Sequence, residues 1–147
     1  MFDNVLMVCT GNICRSPLAE ALWRGAFPTP LNGGSPQVAS AGISALVGAA
    51  AEANVQRLAL RDGVDLAAHL ARQLEPAMTR AADLILVMEP HHLRHVMQLD
   101  ATARGKTFLL GHWSGTGIPD PYRRAEENYL FTHGRIAEAV RSWLVRL

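Results

Sequence analysis

Five residues separate Cys9 from Arg15 in the run Val8-Cys-Thr-Gly-Asn-Ile-Cys-Arg-Ser-Pro17. A thiol and a guanidinium at that spacing suit attack on an anion that the guanidinium holds. The apolar run Val5 to Val8 predicts a buried parallel strand, and Ser16-Pro17 predicts an N-cap followed by proline at the first helical position. A helix is therefore expected to begin at Ser16 or Pro17. A tight loop between such a strand and helix points backbone N–H groups, and the positive end of the helix dipole, at whatever sits inside it. An anion fits there, and the same field favours the thiolate, the nucleophilic form of cysteine. Arg15 adds a planar fork of donors for two oxygens of a tetrahedral oxyanion. Gly11 is expected to let the loop turn its amides inward with no Cβ in the way, and Asn12 to accept a left-handed conformation and tie the loop by side-chain hydrogen bonds. Ser16 is placed to donate to the Cys9 sulfur as well as to cap. Together these residues suit phosphoryl transfer through a cysteinyl-phosphate.

That route needs an acid to protonate the leaving oxygen and a base to activate water afterwards, and one carboxyl group serves both steps in turn. Asp120, between Pro119 and Pro121 in a glycine-rich loop, is the candidate. Each residue also has a purely structural reading. Cys9 fits a core cysteine at a strand end, Ser16 a cap alone, and Asp120 a turn-forming Asp-Pro.

The elements that must position these groups follow from periodicity and turn signals. Leu18, Ala21, Leu22 and Ala26, with Trp23, mark a helix ending before Pro28, and residues 28–36 read as a loop. A short strand over 37–41, a helix over 49–61, a helical or turn segment over 66–74 and a turn of helix from Pro76 to Arg80 come next. A buried strand over 83–88 precedes a helix opened by Glu89-Pro90, with Leu93, Val96 and Met97 on one face. A strand over 107–110, a loop over 111–121 and a long helix from Pro121 or Tyr122 to Leu147 complete the chain. In that last helix Tyr129, Ile136, Ala137, Val140, Trp143, Leu144 and Leu147 recur at helical spacing. Strands alternating with helices predict an α/β fold of three layers, a four-stranded parallel sheet with helices on both faces. The expected strand order is 2-1-3-4, with the phosphate-binding loop after strand 1. Such sheets bind ligands at the carboxyl ends of their strands, where Cys9 and Asp120 both fall.

Composition bounds the rest. A chain of 147 residues with 49% hydrophobic and 18% charged residues suits a single domain over 1–147. Fourteen basic residues against thirteen acidic ones, with Lys106 the one lysine, form no basic stripe, so nucleic acid is not an expected partner. No charged start leads into a long apolar stretch, and Leu84 to Met88 is too short to span a bilayer. No membrane insertion is expected. Both cysteines lie in the opening loop, which fits a reducing, cytoplasmic compartment better than a disulfide framework.

The Cys9 loop together with Asp120-Pro-Tyr122 resembles the low-molecular-weight protein tyrosine phosphatases, with Ser40-Ala-Gly42 and His69-Leu-Ala-Arg-Gln73 as further landmarks in the right order. The resemblance covers nearly the whole chain. It implies that Cys9 is the nucleophile, Arg15 the phosphate clamp and Asp120 the general acid. Thr10, Gly11, Asn12, Ile13, Cys14 and Ser16 would form or support the phosphate loop, and His69 would hydrogen-bond the serine. It also implies that Cys14 traps oxidised Cys9 as a disulfide, that Tyr122 walls the substrate ring, and that neither metal nor organic cofactor takes part. Mammalian members carry aromatic residues where this chain has Leu46 and Arg123, so the cleft wall differs. Leu46 and Ile118-Pro-Asp-Pro-Tyr122 look more like bacterial members acting on tyrosine autokinases of capsule or exopolysaccharide export. Arginine phosphatases of the same fold prefer threonine at the position of Ile13, so isoleucine favours phosphotyrosine. Arsenate reductases of this fold use distal cysteines that this chain lacks.

A phosphoarginine phosphatase and a phosphate-binding module without catalysis are the alternatives, and Asp120 argues against the second. His91, His92 and His95 at helical spacing raise a metal site as a further reading, against which solvated surface histidines are the simpler account. The protein is expected to be monomeric.

Overall fold

The computed structural model describes residues 2–27 and 37–147. The expected loop over 28–36 lies outside them. β1 (Asn4–Cys9), β2 (Gln37–Gly42), β3 (Leu84–Val87) and β4 (Thr107–Leu109) form one all-parallel sheet in the order β2-β1-β3-β4. α1 (Arg15–Gly25), α2 (Ala53–Arg61), α3 (Pro76–Ala81), α4 (Pro90–Leu99) and α5 (Glu126–Leu144) surround it. The predicted fold class and strand order are those observed.

Strand β1 explains why the sheet is covered on both faces. Val5 and Met7 point into one core with Leu84, Leu86, Trp23 of α1, Val55 of α2, and Ile136 and Val140 of α5. Leu6 and Val8 point into the other with Ile85, Val87 and Val96 of α4. Side chains alternate along a strand, so an unbroken apolar run is what a doubly covered strand requires. By the same alternation Cys9 falls on the α1 and α5 side.

The elements differ from expectation where backbone groups have other partners. The helix predicted from 49 starts at Ala53, because Gly48 N–H donates to the Ala71 carbonyl, Ala71 N–H to the Ala49 carbonyl, and Glu52 N–H to the Ile13 carbonyl. Residues 69–74 form no helix; an isolated parallel bridge joins Gln73 to the end of β2, where Gly42 N–H donates to the Arg72 carbonyl and Leu74 N–H donates to the Gly42 carbonyl. The last helix begins at Glu126 and not at Pro121 or Tyr122. Asp120 Oδ1 accepts from Tyr122 N–H, and Arg123 has φ of 60°, a left-handed residue that a helix cannot contain. On α5, Tyr129, Ile136, Val140 and Trp143 are buried as predicted, while the helix ends at Leu144 and Leu147, expected in its stripe, lies beyond it and is exposed. On α4, His92 is fully buried beside Val96. It is not a surface histidine.

Ile136 joins α5 to the core with no exposed surface. Ile136→Ala is expected to lower the unfolding free energy by about 2–5 kcal/mol, read from the urea midpoint, with little change in slope.

Candidate active site

The sheet's carboxyl edge gathers the predicted chemistry. Cys9 ends β1 and Arg15 opens α1, and both are buried. Cys14 occupies the N-cap position, so α1 starts a residue earlier than Ser16 and the Ser16 hydroxyl is not a cap. That hydroxyl lies 2.9 Å from Cys9 Sγ.

Its direction follows from Asn12. The Arg72 N–H donates to Asn12 Oδ1 at 2.9 Å, which fixes the amide and leaves its NH₂ to donate to Ser16 Oγ at 2.8 Å and Ser40 Oγ at 3.0 Å. Ser16, already an acceptor from Asn12, turns its own hydrogen to the sulfur. Ser40 likewise donates to Glu20 Oε1 at 2.6 Å. Asn12 is fully buried with φ of 59°, the left-handed conformation expected of it. His69 Nε2 donates to the Asn12 carbonyl at 2.7 Å. The resemblance implies a hydrogen bond from His69 to the serine; here His69 supports the loop through its backbone.

The glycine that the loop cannot replace is Gly42. A Cβ on it would lie 2.4 Å from the Thr10 carbonyl, whereas one on Gly11 would meet only Ile13 and Leu46 at ordinary contact distances. Gly11 also lacks a positive φ. The close approach therefore lies between the loop and the end of β2, and the expectation that Gly11 is needed to clear a Cβ is not met.

Arg15 is 1% exposed, and a buried guanidinium needs compensation. Its Nη1 donates to Glu89 Oε1 at 2.5 Å and to the Ile118 carbonyl at 2.8 Å. Its Nη2 lies 3.7 Å from Asp120 Oδ2. Cys9, Arg15 and Asp120 thus border one cleft of about 170 Å³. Thr10, Gly11, Ile13 and Cys14 line it, as do Leu46 and Tyr122, both of which are partly open to solvent. Arg123 does not line it; its guanidinium lies 5.2 Å from the Tyr122 ring centre.

Several site residues are not evident from the sequence. Glu52 and Ser44 line the cleft, and Tyr129 donates to Glu52 Oε2 at 2.8 Å. Sequence marks Glu89 only as a helix opener; an acid preceding the proline of a helix that starts at the carboxyl edge is the available signal. His92 Nδ1 accepts from Glu89 N–H at 3.0 Å, and its Nε2 lies 2.9 Å from Thr10 Oγ1. Glu89, His91 and His92 bring possible ligand atoms within 4.8 Å of one another, but Glu89 Oε1 holds Arg15 and both His92 nitrogens are engaged. This cluster is a clamp behind Arg15. Trp113 packs on Trp143 and under Arg146, and is not among the residues lining the cleft.

Burial, and next the neighbouring Cys9, push the Cys14 thiol above its ordinary range. Burial, followed by the Arg15 charge, lowers the His92 imidazole from 6.5 to about 3. Near pH 7, iodoacetamide is expected to spare Cys14, which peptide mass mapping reads directly, because its thiol form is unreactive. Unfolded His92 takes up a proton near pH 6.5 and folded His92 only near 3. Its contribution to stability is thus complete above pH 6.5 and is lost as pH falls towards 3. His92→Gln should flatten that part of the stability profile measured by urea unfolding. Gly42→Ala is expected to displace the loop and cut activity by about tenfold or more, since a backbone shift of this kind misplaces the reacting groups.

A family model described as low molecular weight phosphotyrosine protein phosphatase matches residues 4–147. The protein-tyrosine-phosphatase Ptp of Acinetobacter johnsonii is 41% identical, over 97% of this chain and 96% of that protein. Among solved structures, the Erwinia amylovora tyrosine phosphatase AmsI superposes with a TM-score of 0.93 at 39% identity, covering 100% of this chain and 94% of that one. Vibrio vulnificus Wzb in complex with benzylphosphonate does so with a TM-score of 0.92 at 40% identity, covering 100% of both. With the sheet order, the loop after β1 and the match along nearly its whole length in agreement, the chain belongs to the low molecular weight phosphotyrosine protein phosphatase family.

Proposed function

We propose that this chain, acting as one cytoplasmic, monomeric domain, hydrolyses phosphotyrosine in proteins through a cysteinyl-phosphate. The observation that carries the reading is the meeting of Cys9, Arg15 and Asp120 in one cleft, with Arg15 Nη2 3.7 Å from the Asp120 carboxyl group. Cys9 Sγ attacks phosphorus in line, forming the S–P bond as the bond to the phenolic oxygen breaks. Protonated Asp120 gives its proton to that oxygen and becomes a carboxylate. Water then gives a proton to Asp120 as its oxygen attacks phosphorus, the S–P bond breaks, and phosphate leaves with the thiolate restored. Arg15 and the loop amides stabilise the equatorial oxygens throughout. The Ser16 hydroxyl, directed by Asn12, stabilises the leaving thiolate. No cofactor enters these steps.

The protein substrate is a bacterial tyrosine autokinase of polysaccharide export, so that the enzyme regulates exopolysaccharide or capsule assembly. That partner is supported by the resemblance of Leu46 and the Ile118 to Tyr122 stretch to bacterial members. The benzylphosphonate bound to the Vibrio relative supports a phenol-like leaving group, since it presents an aromatic ring next to a phosphoryl-like head. Should Cys9 be oxidised, Cys14 beside it supplies the second thiol of a protective disulfide.

Purified protein is expected to hydrolyse an aryl phosphate with a chelator present, and benzylphosphonate should inhibit competitively. Cys9→Ser should abolish turnover; retained activity would sink the mechanism. Asp120→Asn should slow poor leaving groups by about 10²–10⁴-fold and good ones far less. Equal losses would remove Asp120 from the acid role. Faster turnover of phosphoarginine than of phosphotyrosine peptides would move the enzyme to the other leaving group.

A further inference from the structure

Both ends of the phosphate loop are tied to the start of one helix. At the loop's beginning, Thr10 Oγ1 lies 2.9 Å from His92 Nε2. At its end, Arg15 Nη1 donates to Glu89 Oε1 at 2.5 Å. Glu89 and His92 are themselves joined, for the Glu89 N–H donates to His92 Nδ1 at 3.0 Å. That bond settles the tautomer. A nitrogen accepting from a backbone amide carries no hydrogen, so the hydrogen of the neutral ring sits on Nε2 and is donated to Thr10. Thr10, His92, Glu89 and Arg15 therefore close a ring of three hydrogen bonds around the loop. His92 is fully buried, with both ring nitrogens engaged, and contributes nothing to the cleft surface.

From this closed ring we infer that His92 is a positioning residue of the reaction, setting the distance between the start and the end of the phosphate loop by holding Thr10 against Glu89 and thereby against Arg15. The inference rests on the reaction proposed above. A histidine with one donor and one acceptor on opposite sides of a rigid ring suits this task, because it spans two backbone segments with no torsional freedom between the two hydrogen bonds. Lysine or serine at this position lacks the reach or the pairing. The neutral ring also keeps a second positive charge away from Arg15.

The transition state makes the greatest demand on that distance, since sulfur, phosphorus and leaving oxygen lie in line while Arg15 holds the equatorial oxygens. The ring's loss is thus expected in kcat more than in KM. Thr10→Val removes the hydroxyl from a partly exposed residue and leaves His92 in place. It is expected to lower kcat for an aryl phosphate by about tenfold, in proportion to one lost hydrogen bond, with KM within about twofold. Inhibition by vanadate, which takes a five-coordinate form on the thiolate, should weaken by about tenfold, while benzylphosphonate, a ground-state mimic, should weaken less. His92→Leu should match Thr10→Val, and the double variant should be no worse than either, because both changes break the same link. His92→Gln keeps one acceptor and one donor and should restore most of kcat.

Wild-type protein is assayed first. If it turns over no phosphoester, the proposed reaction fails irrespective of His92. If it does, and Thr10→Val has wild-type kcat and vanadate affinity, the positioning role is overturned. The role is equally overturned if the single losses multiply in the double variant, or if His92→Leu only lowers the melting temperature. Should His92→Leu fail to fold, Thr10→Val decides alone.

Discussion

A guanidinium charge held out of water governs this architecture. Arg15 is 1% exposed, and an unpaired charge so placed would cost several kcal/mol. Its compensation comes from separate parts of the chain. Glu89 follows β3, the Ile118 carbonyl and Asp120 lie in the loop after β4, and Arg15 itself follows β1. The parallel sheet brings the carboxyl ends of these strands side by side, so the charge is satisfied only when the sheet is assembled in the order β2-β1-β3-β4. Fold and site are in this sense one constraint. The guanidinium cannot be neutralised by its own loop, and the loop cannot hold its shape without the guanidinium's distant partners.

A second layer of constraint runs through uncharged groups on the other side of the loop. Asn12 commits its side-chain amide to Arg72, Ser16 and Ser40, and its carbonyl to His69. Backbone hydrogen bonds from Ser44 N–H to the Thr10 carbonyl and from Leu46 N–H to the Gly11 carbonyl add the segment after β2. Gly42 is where that segment presses closest, against the Thr10 carbonyl. Charge fixes the loop from the β3 side and hydrogen bonding fixes it from the β2 side. Cys9 sits between the two.

What the sequence discloses follows the range of the forces involved. The apolar run at Val5, the Ser16-Pro17 pair and the Asp120-Pro121 turn act locally, and reading them places β1, the first helix to within a residue and the site's carboxyl edge. The order of strands and the family are legible as well, because the motif spans nearly the whole chain. Contacts made across the sheet are not. The Glu89-Pro90 pair marks a helix start at the carboxyl edge but not that Glu89 faces Arg15, and His92 lies among other histidines on a helix whose apolar pattern suggests Leu93, Val96 and Met97 for the core. Its burial is decided by Thr10, 82 positions away. The starts of α2 and α5 depart from expectation for a related reason. Alanines at 49–51 favour a helix by propensity, yet Ala49 and Glu52 have tertiary backbone partners that win. Arg123 takes a left-handed conformation that an arginine gives no sign of.

The hydrogen bonds of the Asn12 side chain and carbonyl are all made within the protein, to Arg72, Ser16, Ser40 and His69. The conformational cost of shaping the loop is therefore met on folding, and a tetrahedral anion arriving there need not organise it again. On the proposed chemistry this has a less welcome side. A cradle fitted in advance to a phosphoryl head holds free phosphate by the same contacts, so the reaction carries its own brake: as phosphate accumulates, product competes with the next phosphotyrosine for a site that cannot relax to release it.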